Sequence, residues 1–279
     1  MNTPTARYRI DLVRIATDAM RERGLEPAFP PALLQELASI TGPGRDTDPH
    51  IRDLTSLPWC SLDNDDSLDL DQLTACEALA DGQVRLRVAG ADVDAVVKKG
   101  SAIDQHAWIN TTSVYTSAKV FPMLPERLST DLTSLNPDQD RLALVSEMVV
   151  AGDASIVQST VYRALVRNKA KLAYDAVSAW IDGSAALPQP ARAVPGMDEQ
   201  LRKQDEVAQR LRARPGLAPI RDLPAARLVQ RRAGGRHPAT GAEPRPPADR
   251  RVDDRHQHLH RAISCRCRRC LAAPRGALA

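Results

Sequence analysis

The chain has 279 residues, which is enough for one large domain or two small ones. Its formal net charge of +3 is mild and does not by itself indicate nucleic-acid binding, which needs clustered cations. No apolar run is as long as a membrane span, and the amino terminus has no apolar signal core. We therefore expect a cytoplasmic protein with no membrane partner. The 5 cysteines are unevenly spaced and predict neither a disulfide framework nor a disulfide-linked partner.

Residues 1–53 predict a helical lead segment. Residues 6–23 carry apolar side chains at helical spacing, and Gly24 is the predicted stop. A second short helix is predicted to begin at Pro31, because proline suits a first helical position, and to run towards Ile40.

Alternating apolar residues from Val84 onwards predict strands. V-R-L-R-V-A alternates, and L-A-L-V-S-E-M-V-V and S-I-V-Q-S-T-V-Y-R-A-L-V predict two neighbouring strands joined across residues 151–153. Residues 122–137 predict a loop with a short helix, and residues 170–181 predict an amphipathic helix. Strands and helices without a regular alternation predict an α+β fold with a mixed sheet.

An aspartate-rich segment has the clearest chemical pattern in the chain. Five aspartates fall within nine positions: Asp63, Asp65, Asp66, Asp69 and Asp71. Because residues two apart in an extended segment point the same way, Asp69 and Asp71 are expected to face one point, with Asp63 folded back towards it. Hard carboxylate oxygens that converge in this way suit magnesium or manganese.

The spacing of these aspartates leaves other interpretations open. Asp-rich loops are commonly solvated turns or helix caps, because Asp and Asn satisfy nearby backbone groups. Calcium is a second candidate ion, but the EF-hand pattern needs a glycine and a terminal glutamate that the segment lacks. Spacing alone therefore indicates a divalent metal site as one hypothesis among these.

Several motifs resemble one known family. D-N-D-D-S-L-D-L-D-Q, preceded by L-P-W-C-S-L, resembles the signature of the RNB catalytic domain of the ribonuclease II and ribonuclease R exoribonucleases. Further similar segments follow in the same order: V-A-G-A-D-V-D-A-V-V-K-K-G-S-A-I-D, T-S-V-Y, P-M-L-P-E-R-L-S-T-D-L-T-S-L-N-P, R-L-A-L-V-S-E-M and R-N-K-A-K-L-A-Y-D-A-V-S-A-W. The resemblance covers residues 54–214. It implies the amino-terminal half of an RNB catalytic domain from a short bacterial branch.

The resemblance implies a hydrolytic 3′ to 5′ exoribonuclease that uses magnesium to release nucleoside 5′-monophosphates from single-stranded RNA. By motif, Asp63, Asp69 and Asp71 would hold the metal, with Asp69 and Asp71 as catalytic residues. Gln72 stands where many members have a fourth aspartate. It is a candidate metal ligand that brings one negative charge fewer, which leaves two-metal occupancy open.

Three further features concern the candidate site. Asp65 and Asp66 are candidates to compensate for the charge that Gln72 lacks. Tyr115 and Tyr174 align by motif with family tyrosines that stack on or orient RNA near its 3′ end, although without the family a half-buried core role is the simpler interpretation.

The family's S-P-I-R-R-Y type arginine motif and a later glutamate motif are not found in the chain. A non-catalytic RNA-binding remnant is therefore an alternative hypothesis.

Residues 215–279 differ in composition from the rest of the chain. They contain no aromatic residue and no lysine, and they are rich in Arg, Ala and Pro, which predicts disorder. Back-translating D-R-H-Q-H-L-H-R-A-I-S and shifting the frame by one nucleotide can give T-A-T-N-I-C-T-A-R-F, which resembles a later RNB helix. We therefore predict a frameshift near Arg214 and an out-of-frame tail.

Histidines and cysteines in this tail suggest a third hypothesis, a zinc-binding interaction module. The set is His256, His258, His260, Cys265, Cys267 and Cys270. Zinc accepts such ligands, but C-x-C-x-x-C after H-x-H-x-H lacks the usual spacing of two ligand pairs.

Overall fold

A computed structural model describes residues 11–213 of the chain. Its centre is a mixed sheet of seven strands in the order β1-β8-β7-β4-β3-β2-β9. These strands are β1 (Arg52–Asp53), β2 (Cys60–Asp63), β3 (Gln72–Ala78), β4 (Val84–Ala91), β7 (Asp140–Val150), β8 (Ile156–Arg167) and β9 (Ala170–Ala173). A separate hairpin consists of β5 (Val114–Tyr115) and β6 (Val120–Phe121).

The pairing of the strands explains why the sheet is mixed. The central strands β2, β3, β4, β7 and β8 pair antiparallel in a row, whereas β1 joins β8 and β9 joins β2 in parallel at the two edges. The long β7–β8 hairpin confirms the two neighbouring strands predicted from their apolar runs. Together with the helices below, the sheet confirms the predicted fold class.

The predicted helix over residues 170–181 is wrong in its first turn. Residues 170–173 form β9, and the helix α4 (Tyr174–Ile181) begins only afterwards. In β9, Leu172 pairs in register with Leu62 of β2, and both side chains are buried in one core cluster. A distant strand therefore overrides the helical preference of this alanine-containing segment.

The lead segment forms the two predicted helices, α1 (Leu12–Glu22) and α2 (Pro31–Ser39). The Asp11 side chain caps α1 by accepting from the Arg14 amide at 3.0 Å, and Gly24 follows its end with a φ of +75°. α2 packs against α3 (Ala102–Asn110) through a cluster that includes the fully buried Leu33.

The sheet is covered on one face by α6 (Met197–Ala213), with the short helix α5 (Gln189–Arg192) beside it. Polar side chains of α6 contribute to this contact: Gln204 accepts from the Thr74 hydroxyl at 2.9 Å, and Gln200 accepts from the Cys76 amide at 3.1 Å. The glutamines thus pair buried polar groups of β3 that would otherwise lose their bonds to water.

The segment before β7 contains the predicted short helix, a π-helical turn over Arg127–Leu132. Its Leu128 and Leu132 are buried. None of the helices between residues 11 and 213 is long and apolar enough to cross a bilayer. The predicted disordered, out-of-frame tail and its histidines and cysteines lie outside the described residues.

Candidate active site

The aspartate-rich segment is the loop that connects β2 to β3. Asp63 is the last residue of β2 and is half-buried, whereas Asp69 and Asp71 are exposed. Leu70, which lies between them, is 1% exposed and packs into the protein. Burial of the middle residue with exposure of its two neighbours is the pattern expected of an extended segment. This exposure pattern agrees with an extended segment in which Asp69 and Asp71 lie on the same side of the chain.

The electrostatics of the loop show that its carboxylates act on one another. Burial, followed by the negative charges of Asp71 and Asp69, raises the pKa of Asp63 to about 6, and the positive charge of Lys171 opposes this rise. Carboxylates that lie this close together repel one another when they are ionised. A bound cation would relieve this repulsion.

The donor chemistry of the loop fits a hard divalent cation, since carboxylate oxygens are what magnesium and manganese prefer. Across residues 11–213, however, no three His, Cys, Asp or Glu side chains are arranged as a group that could hold a metal ion. Gln72 is the half-buried first residue of β3, in register with Gly90. The metal-ligand set of Asp63, Asp69, Asp71 and Gln72 therefore stays a prediction.

The carboxyl-terminal half of the loop is fixed by the segment before β7. The Leu70 amide donates to the Ser134 hydroxyl at 3.0 Å, and the Leu135 amide donates to the Leu70 carbonyl at 2.7 Å. The Ser134 hydroxyl also lies 3.2 Å from the Leu68 carbonyl, within hydrogen-bond distance. These contacts hold the backbone on both sides of Asp69.

The amino-terminal half of the loop is fixed from β9. The Lys171 ammonium donates to the Ser67 carbonyl at 2.7 Å and, over a longer 3.4 Å, to the Asp65 carbonyl. Lys171 pairs in register with Ser61, so its side chain lies on the same face of the sheet as Asp63, two residues further along β2.

The two candidate RNA-binding tyrosines have different settings. Ala173 is the register partner of Asp63, and Tyr174 follows it as the first residue of α4. Tyr174 therefore lies beside the end of β2, where the aspartate loop begins. Its side chain is half-buried. Tyr115 is 71% exposed on the separate β5–β6 hairpin. That exposure disagrees with a core role for Tyr115.

The sequence interpretation did not identify Lys171 and Ser134 as parts of this site. Both lie within motifs that carry the family resemblance, N-K-A-K-L-A-Y and L-T-S-L. Their contacts join residues 104 and 64 positions apart in the chain, respectively, and no local pattern predicts such pairs.

Comparison with known proteins agrees with this fold. The family model described as RNB domain matches residues 51–240. That match covers more than half of the chain, which therefore belongs to the RNB family. The matched range extends past residue 214 into residues outside the described part, and the domain boundaries predicted from the sequence, 54–214, stay a prediction.

Individual relatives are ribonucleases of bacteria. Ribonuclease R of Vibrio parahaemolyticus is 42% identical over 135 residues, which is 48% of this chain and 16% of that protein. Ribonuclease R of Vibrio cholerae is 35% identical over 190 residues, which is 68% of this chain and 23% of that protein. The chain thus spans less than a quarter of the length of these curated relatives.

A solved structure shows the same fold. Mycoplasma genitalium RNase R in complex with ribose-methylated single-stranded RNA superposes with a TM-score of 0.63 at 27% sequence identity, covering 73% of this chain and 31% of that chain. The same enzyme has also been solved in complex with double-stranded RNA.

Proposed function

We propose that this chain carries the carboxylate part of a magnesium-dependent exoribonuclease site that removes nucleoside 5′-monophosphates from the 3′ end of single-stranded RNA. The observation that carries this proposal is that Asp63, Asp69 and Asp71 lie on one loop that two other segments of the chain hold in place. Family membership and the RNA complexes of the Mycoplasma enzyme support the choice of substrate.

Each carboxylate has a proposed part in the reaction. Asp63, at the end of a paired strand, is the fixed member of the set, and Asp69 and Asp71 lie on the exposed side, where RNA and water have access. Together they would hold magnesium or manganese and orient a water towards the terminal phosphodiester. The ion, when bound, supplies a water activated near neutral pH and stabilises charge on the leaving oxygen. Gln72 supplies an amide oxygen at the edge of this set.

The tyrosines are proposed to hold the RNA. Tyr174 begins its helix beside the strand end that carries Asp63 and would orient the terminal nucleotide there. The exposed ring of Tyr115 offers a face for stacking a base, which contributes about 1–3 kcal/mol whatever the base.

A cleavage assay with matched variants tests the proposal. The full chain is incubated with uniformly labelled single-stranded RNA and magnesium, and products are separated with mononucleotide markers. The chain and the control Asp81→Asn, in the exposed turn between β3 and β4, should release nucleoside 5′-monophosphates. Asp71→Asn should bind RNA without cleaving it. Hydrolysis retained by Asp71→Asn would show that Asp71 has no catalytic role.

A second candidate function is a non-catalytic RNA-binding remnant. It is favoured by the arginine and glutamate motifs not found in this sequence. One preorganised cationic or donor group at the transition state is worth about 2.7–4 kcal/mol, or about 10² to 10³ in rate. RNA binding without any turnover by the unaltered chain would support this candidate.

We also propose that the frame changes near Arg214, so that the family site is interrupted there. Sequencing the genomic DNA across codons 206–219 and translating every downstream frame tests this. The proposal requires the missing arginine and glutamate motifs in another frame. If no frame encodes them, the frameshift proposal is wrong.

A further inference from the structure

Lys171 is bound to the aspartate loop although no role has been assigned to it. Its ammonium donates to the Ser67 and Asp65 carbonyls, and it reaches the loop from β9, the strand parallel to the one that ends at Asp63. Both hydrogen bonds go to main-chain carbonyls, not to the carboxylates. The lysine thus contacts the frame of the loop and influences Asp63 through charge.

The loop needs such support because repulsion between its negative charges works against the closed conformation of the loop. Four aspartates lie between β2 and β3, a fifth, Asp63, ends β2, and like charges at short range repel one another. Its amino-terminal half is closed by a turn in which the Ser67 amide donates to the Asn64 carbonyl. The Lys171 ammonium donates to the carbonyl of this same residue, Ser67, at 2.7 Å. Hydrogen bonds from a charged donor are stronger than those from a neutral donor.

The carboxyl-terminal half of the loop is held independently. Ser134 and Leu135 bind the backbone of Leu68 and Leu70, and Leu70 is buried. The loop therefore has two anchors from two distant segments, one at the turn of residues 64–67 and one at Leu68 and Leu70. Loss of one anchor should loosen one half and leave the other in place.

We infer that Lys171 is a positioning residue, which sets the backbone of residues 64–67 so that Asp63 can act together with Asp69 and Asp71. The inference rests on the proposed function for its consequence in metal binding, but its structural part does not. Lys171 itself touches no substrate in this role, and it acts through the loop.

Two effects of removing the ammonium have opposite signs, which makes the inference testable. As a mere counter-charge, Lys171 competes with a metal ion, and its loss would tighten metal binding. As a loop anchor, its loss would weaken metal binding, because the carboxylates would no longer be held together. The direction of the change therefore separates positioning from simple charge compensation.

The experiment compares Lys171→Met, Lys171→Arg and the control Lys169→Met in the full chain. Lys169 precedes β9, and its charge acts on Asp140. Amide hydrogen exchange is measured without metal, and manganese affinity is measured by titration. In Lys171→Met we expect faster exchange at Ser67, unchanged exchange at Leu70 and about tenfold weaker manganese binding. Lys171→Arg, which keeps a charged donor, should restore both.

The outcomes separate this inference from the proposed function. Faster exchange at Ser67 in Lys171→Met, with no manganese binding even by the unaltered chain, would uphold the anchor and overturn the metal site. Exchange at Ser67 equal to that of Lys169→Met, or tighter manganese binding in Lys171→Met, would overturn the positioning role.

Discussion

The main-chain amide of Leu70 donates to the hydroxyl of Ser134 at 3.0 Å, although the two residues lie 64 positions apart in the chain. Leu70 is buried between two exposed aspartates, so this bond and the one from the Leu135 amide to the Leu70 carbonyl hold the carboxyl-terminal half of the proposed catalytic loop. The segment that ends in Ser134 thus supports the site without contributing a carboxylate to it.

Removing that hydroxyl should destabilise the protein. Ser134→Ala leaves the buried Leu70 amide without its acceptor, which costs about 1–3 kcal/mol. We expect the free energy of unfolding, measured by urea titration, to fall by that amount. Ser184→Ala, which removes an exposed hydroxyl bonded to the end of α4, should change it by less than about 0.5 kcal/mol. Equal small effects of both substitutions would contradict the anchor role of Ser134.

Glu147 makes the stability of the sheet depend on pH. Burial works against its charge, but hydrogen bonds from Tyr162 and Arg87, both 2.7 Å long, outweigh burial and hold the pKa of Glu147 below its usual 4.5. Because the folded-state pKa is depressed, this stabilisation is present above about pH 4.5 and is lost as the pH falls through the folded-state value.

Glu147→Gln should therefore lower stability at neutral pH by about 1–3 kcal/mol and flatten its decline in acid. Urea unfolding at several pH values measures both effects. Glu199→Gln, on the exposed side of α6, is the matched control and should follow the unaltered chain. A Glu147→Gln curve parallel to that of the unaltered chain would refute the linkage.

The two cysteines of the described region should be unreactive while the protein is folded. Burial raises the pKa of the Cys60 thiol to about 11, and burial together with the nearby Cys60 raises that of Cys76 to about 12. At pH 8 about one Cys60 thiol in a thousand is then ionised.

The reactivity is measured with a disulfide reagent in a chain whose Cys265, Cys267 and Cys270 are replaced by serine. We expect no reaction on the time scale of free cysteine until guanidinium is added, and then reaction of both thiols. Rapid reaction of the native protein at pH 8 would contradict the buried setting of Cys60.

The sequence predicted those parts of the fold and site that depend on neighbouring residues, and it missed those that depend on contacts between distant residues. The crowding of aspartates around Leu70 and the apolar alternation of β7 and β8 are properties of neighbouring residues, and the structure has the loop and the hairpin there. The first turn of the predicted helix at residue 170 failed because β9 is stabilised by pairing with β2. The anchors Lys171 and Ser134 escaped prediction for the same reason, since both act across the fold.

The central claim is that Asp63, Asp69 and Asp71 together hold a divalent cation, and titration of the metal-free chain with manganese, followed by electron paramagnetic resonance, tests it most directly. The chain and Asp81→Asn should bind manganese, magnesium should displace it, and Asp63→Asn and Asp71→Asn should each lose most of the binding. Equal manganese binding by all four proteins, or none by the unaltered chain, would contradict the account.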